Sequence, residues 1–158
     1  MTTKILRLLQ LVVYLIITSQ LLFYLLILSD SLKQVSLPNF IELRKTVDML
    51  MENRFRVIYY TGIILTLAVF ILSAKKPDSI FFVTTCIALV CLIIDVSIAM
   101  KGNVPINKLI NGYLPGDTSQ DWSALRLQWL QLMNIRGVFI VTGFVSQLVG
   151  LIWQPNAN

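Results

Sequence analysis

One acid stands inside an apolar run. Asp95 occupies the middle of CLIIDVSIAM, Cys91 to Met100. An ionisable group at membrane depth is costly, so it turns inward and takes a partner. Positions four and eight residues on, Ala99 and Asn103, share its helix face, and Asn107 and Asn111 continue the four-residue spacing. The facing cation is Arg136, seven residues after Trp129 and fourteen after Trp122, which puts all three on one side of a helix. Asp95, Asn103, Asn107, Trp129 and Arg136 are therefore expected to converge near one membrane boundary, with Asn134 close by. A buried carboxylate can take a proton. A guanidinium or amide can hold the oxyanion that results. The same residues can equally serve as a polar clamp that pins one helix to the next.

Other chemistry is excluded by residue type. The chain has no histidine, the usual general base and metal ligand near neutral pH. No Ser–His–Asp arrangement, glycine-rich phosphate loop or metal-spaced ligand set occurs, so no metal and no cofactor is expected. Cys86 and Cys91, five apart, point in different directions from one helix and read as small apolar residues.

The elements that position these residues are membrane helices. Of the 158 residues, 56% are hydrophobic and 13% charged, with a mean hydropathy of +0.77; soluble domains carry about 25% charged residues. The net charge of +5 does not point to nucleic acid, because the basic residues sit at the ends of apolar segments, where they anchor helices. Four stretches approach the roughly 20 residues that cross a bilayer as helix: about 5–28, 57–74, 80–100 and 137–153. The first has Lys4 and Arg7 before it and Ser29 and Ser31 after it. Its apolar core nevertheless exceeds the 7–15 residues of a signal peptide, so it reads as a retained span. One domain, 1–158, is expected.

The connections differ in character. In SLPNFIELRKTVDMLMENRFRV, Phe40, Leu43, Val47, Leu50, Met51, Phe55 and Ile58 recur at three and four, an amphipathic helix running into the second span. Its pairs Arg44–Asp48 and Glu52–Arg56 read as a solvated face, with Arg54 or Arg56 the alternative for an inward cation. AKKPDS is a tight turn in which Lys75 and Lys76 close one helix and Pro77 begins the next. Gly102 is placed for a left-handed cap. Asn103 would then cap a short re-entry or interfacial helix that has Pro105 in its first turn and stops at Asn111-Gly112. Asp117 or Ser119 caps a further helix that continues through Arg136 into the fourth span. Tyr59, Tyr60, Trp122 and Trp153 suit interfacial belts. Gly143 and Gly150 allow close helix approach. The predicted fold is thus all-α, a four-transmembrane-helix bundle. Lys4, Arg7, Lys75 and Lys76 share one side; the longer segments on the other carry nine basic residues but also six acids, much of them in helix, and the expectation is that both termini are cytoplasmic.

NVPIN, Asn103 to Asn107, followed by WLQLMNIR, Trp129 to Arg136, resembles the anthrone-oxygenase-like family of small four-helix membrane proteins. The resemblance covers mainly Asp95 to Trp153, with span number, length and a long first loop agreeing elsewhere. It implies a bundle with polar residues gathered between helices, matched here by Pro105, Asn107, Trp129 and Arg136. Some members oxidise polycyclic anthrones without metal or flavin, and most have no assigned activity. Where many members carry histidine or asparagine four residues after the tryptophan, this chain has Met133, then Asn134.

Three functions follow as expectations. The first is an integral membrane protein of this type with a polar inter-helix cluster, in the plasma membrane (the inner membrane of a bacterium), whose specific activity is unassigned. The second is a cofactor-independent oxygenase of polycyclic aromatic substrates. There Asp95 is the base, Arg136 or the amides hold the oxyanion, and Trp129 stacks on a flat ring. The third is an accessory subunit or an oligomeric channel or transporter. The partners open to it are the lipid bilayer, a small aromatic or lipid ligand, a second copy, and another membrane protein.

Overall fold

A computed structural model describes Thr2 to Trp153, and every regular element among these residues is helical. The chain runs through α1 (Thr2–Phe23), a π-helical turn (Tyr24–Leu28) and α2 (Ser29–Gln34). After Val35 and Ser36 comes α3 (Leu37–Ser73). Then follow α4 (Ile80–Ile98), a second π turn (Ala99–Asn103), α5 (Val104–Gly112) and α6 (Trp122–Ile152). The junctions at both π turns are continuous helix, so four rods result, of 31, 37, 33 and 31 residues, each long and apolar enough to span a membrane. At 1.5 Å per residue they are roughly 46–56 Å long. That exceeds a hydrocarbon core of about 30 Å. The short connections make successive rods antiparallel, and the packing pairs α1 with α3, α3 with α4, α4 with α6, and α6 with α1, closing a ring. The amphipathic stretch, α2, α5 and the start of α6 are the parts of these rods that project beyond the expected spans.

The outside of the ring is apolar. Ile64, Ile71, Ile93, Val138 and Val145 are about half exposed or more, which suits contact with lipid, whose tails are as apolar as they are. The inside mixes aliphatic side chains with polar groups that satisfy one another. Gln10 donates to Thr66 at 3.3 Å. The Tyr14 hydroxyl crosses the bundle to donate to the Ala88 carbonyl at 3.1 Å.

Gly143 is where α6 approaches most closely. A Cβ added there would overlap the Tyr14 hydroxyl and lie 3.1 Å from the Cys91 Cβ. Neither neighbour is a free side-chain end, since the hydroxyl is held by Ala88. Gly143→Ala is therefore expected to lower stability in detergent by about 1–3 kcal/mol, the usual cost of overpacking. Adding Tyr14→Phe, which removes the overlapping oxygen, should recover part of the loss.

Several helix ends differ from expectation. Pro77 lies within the turn, and Ser79 starts α4 by accepting from the Phe82 N–H at 3.1 Å. Asp121, not Asp117 or Ser119, caps α6, accepting from the Ala124 N–H at 3.0 Å. Asp117 instead accepts from the Ser119 N–H at 2.7 Å, which holds its carboxyl below the usual carboxylate range. Gly102 does not end a helix. Its missing side chain makes room for Leu132, whose Cδ1 would stand 2.6 Å from a Cβ there. Asn103 makes no cap bond and keeps helical dihedrals. The π turn widens the helix directly before Pro105, whose ring would crowd a regular turn, and so the helix runs on through this point into α5 instead of ending and starting again. The one left-handed residue among those described is Gly116, at φ +86°, in the turn after α5.

Candidate functional site in the interhelical cleft

Arg136, reaching inward from α6, joins three of the four rods. Its Nε donates to Asp95 Oδ1 at 2.7 Å. Its Nη1 reaches Asn103 Oδ1 at 3.3 Å and Met133 Sδ at 3.5 Å, and its Nη2 donates to the Tyr59 hydroxyl at 3.0 Å. Asp95 has no exposed surface and its second oxygen, Oδ2, has no hydrogen-bond partner. Taking two charges this deep is costly, so the pair depends on its close contact and on the further bonds that Arg136 makes to Asn103 and Tyr59. Asn103 also donates to the Trp129 carbonyl at 3.2 Å, tying α6 to the π turn.

A second network sits one to two helical turns nearer the chain connections. The Trp129 Nε1 donates to Asn107 Oδ1 at 2.8 Å. That oxygen also accepts from Arg44 Nη2 at 3.3 Å, and Asn107 Nδ2 donates to Asp48 Oδ1 at 2.8 Å. Asn111 donates to the other Asp48 oxygen at 2.8 Å. The Arg44 guanidinium lies 4.3 Å from the centre of the Trp129 ring, covering its face, while Tyr24 and Phe40 meet the ring edge-on.

The expected residues thus divide. Asp95, Asn103, Asn107, Trp129 and Arg136 do come together. Asn134 does not: it donates to Ser29 Oγ at 3.0 Å and fastens α6 to α2, away from the others. Asn111 does more than stop its helix. Arg54 and Arg56 stay exposed, whereas Arg44, expected on a solvated face, is buried. Tyr59, expected in an interfacial belt, belongs to the Arg136 network. The sequence carried the signal for both. Arg44 lies on the apolar stripe that runs from Phe40 through Val47 and Met51, and Tyr59 continues it four residues past Phe55.

The two networks share a cleft of about 520 Å³ between α3 and the α4–α5 rod. Trp129, Met133 and Arg136 close its back, and Gln20 of α1 and Tyr24 of the first π turn reach it. Asp95 is not part of its wall: it stands behind Arg136. A molecule in the cleft would meet Arg136, Tyr59 and the Arg44–Asn107 pair, but not the carboxylate. Among the described residues no group of acids and cysteines is placed to hold a metal ion. Comparison of the chain with family models, curated proteins and solved structures found no match to any of them.

Proposed function

We propose that this protein is an integral membrane binding protein of the anthrone-oxygenase-like type, which takes a small hydrophobic molecule into the cleft between α3 and α4–α5. The observation that carries this reading is the cleft itself: mostly apolar walls, about 520 Å³, with a buried guanidinium facing inward. That is the usual form of a ligand pocket, apolar with a few polar groups that set orientation. A clamp alone needs no such space. The reading places the protein in a plasma (inner) membrane with both termini cytoplasmic, supported by Lys4, Arg7, Lys75 and Lys76 at one end of the bundle.

A second reading, cofactor-independent oxygenation of a polycyclic aromatic, draws on Tyr59 and Arg136 standing side by side at the cleft. They would stabilise the enolate oxyanion left when water at the cleft takes the substrate's acidic proton; oxygen would add at that carbon, the proton would return to the peroxide, and loss of water from the hydroperoxide would leave the quinone. Asp95 is screened by Arg136 and the Trp129 face is covered by Arg44, so neither has the part the sequence suggests.

Native mass spectrometry in a mild detergent tests the first reading. The wild type is expected to carry a bound molecule of defined mass, and Ala99→Phe, which fills the cleft, is expected to lose it. A wild type that stays empty with every hydrophobic ligand offered overturns the reading and leaves the clamp. For the oxygenase, oxygen uptake with an anthrone should fall on Tyr59→Phe; no uptake by the wild type removes that reading.

A further inference from the structure

The cleft changes polarity along its length, and both walls change together. On α3 all its charged side chains, Arg44, Asp48, Glu52 and Arg56, fall in the first stretch, alternating with Val47, Met51 and Phe55, and beyond them come Tyr60 and Ile63. On the facing rod Lys108 and Asn107 lie opposite the charged end, and Met100 and Val96 opposite the apolar end. The bonds from Asn107 and Asn111 to Asp48 fix this antiparallel alignment. The apolar end falls within the stretches that cross the bilayer, 57–74 and 80–100. The charged end falls in the helical extensions beyond them. The cleft therefore straddles a membrane boundary, with its polarity running the same way as the boundary's.

The charged end has cationic capacity left over. Arg44 pairs with Asp48 at 3.7 Å and Arg56 with Glu52, which leaves Lys108 as the cation in excess at this end. Arg44 is 6% exposed and its Nε has no partner. Lys108 forms no ion pair among the described residues. The volume suits one drug-sized molecule, which a two-chain lipid exceeds.

Building on the binding reading above, we infer that the cleft receives a single-chain anionic amphiphile from the bilayer. Its carboxylate or phosphate head rests against Lys108, at the end of the cleft where the Arg44–Asp48 pair lies, and its chain runs past Tyr59 towards Ile63 and Val96.

Three probes with the same oleoyl chain test this on the protein in neutral-lipid nanodiscs: oleate, lysophosphatidate and the uncharged monoolein. At least one anion is expected to bind about fivefold or more tighter than monoolein, the worth of one basic residue near a membrane surface. Which anion does so separates a free fatty acid from a phosphate-bearing lipid. Lys108→Gln, an exposed position where folding is not at stake, should erase that margin, and Ala99→Phe should weaken all three probes. Equal binding of monoolein and both anions, or a margin that survives Lys108→Gln, overturns the inference while leaving the cleft a hydrophobic site. Failure of all three probes to bind the wild type overturns the inference; should Ala99→Phe also leave the native mass spectrum unchanged, the binding reading falls with it.

Discussion

Replacing Asp95 by asparagine is expected to lower the stability of the bundle by about 3–5 kcal/mol, because it leaves the Arg136 charge buried with no counter-charge. Arg136→Gln should cost a similar amount, since it strands a carboxylate with no exposed surface. Ordinary hydrogen bonds between membrane helices average only about 0.6 kcal/mol, so the size of the loss distinguishes a charge pair from a polar contact. The double variant Asp95→Asn with Arg136→Gln carries neither charge, and its loss should be well below the sum of the singles. Unfolding in mixed micelles measures all three. If both single variants keep wild-type stability, the pair does not hold α4 to α6.

Trp129→Ala is the second large effect. The ring is 2% exposed, edged by Tyr24 and Phe40 and covered by Arg44. Removing it costs about 3–5 kcal/mol as a buried tryptophan, and Arg44 loses the surface on which it is stacked. Trp129→Phe keeps most of the packing but not the Nε1 bond to Asn107, so its loss should be nearer 1 kcal/mol. Equal losses for the two variants would mean that the hydrogen bond, not the ring, is what matters here. Cleft binding gives a separate readout, since the Asn107 oxygen, left with the Arg44 bond alone, can then accept from a ligand in the cleft.

The rods and most of the inner polar set were legible in the chain because membranes make simple demands. A run such as Ile80 to Met100 has one physical reading, and a single acid inside it must find a cation. With Arg136 the last cation before the fourth apolar run, and seven residues beyond Trp129, the pairing followed. What was not legible depended on rotation and on rival partners. Arg44 and Asp48 satisfy an i,i+4 rule whether they face water or protein, and only the depth of the neighbouring helix decides between these. Ser79 and Asp121 won their caps over equally suitable neighbours by the path of each turn. Asn103 looked like a cap because Gly102 and Pro105 flank it, and the wide turn that lets a helix pass both has no sequence signature of its own. Asn134, one residue from the Arg136 side of α6, is rotated about 100° from Met133, enough to carry it to Ser29.

The two π turns have a meaning for how this chain can change length. In each, one amide reaches back five residues instead of four: Ser29 to Tyr24, and Val104 to Ala99. Such a turn holds one residue more than the α-helix running through it requires. Elsewhere in these rods the loss of a residue would swing everything downstream by about 100° and present the wrong side of the helix to its neighbours. At Tyr24–Leu28 or Ala99–Asn103 a residue can be lost and both flanks stay in phase. These turns are the vernier points of the bundle, where the loss of one residue leaves the helix phase unchanged, and both of them border the cleft.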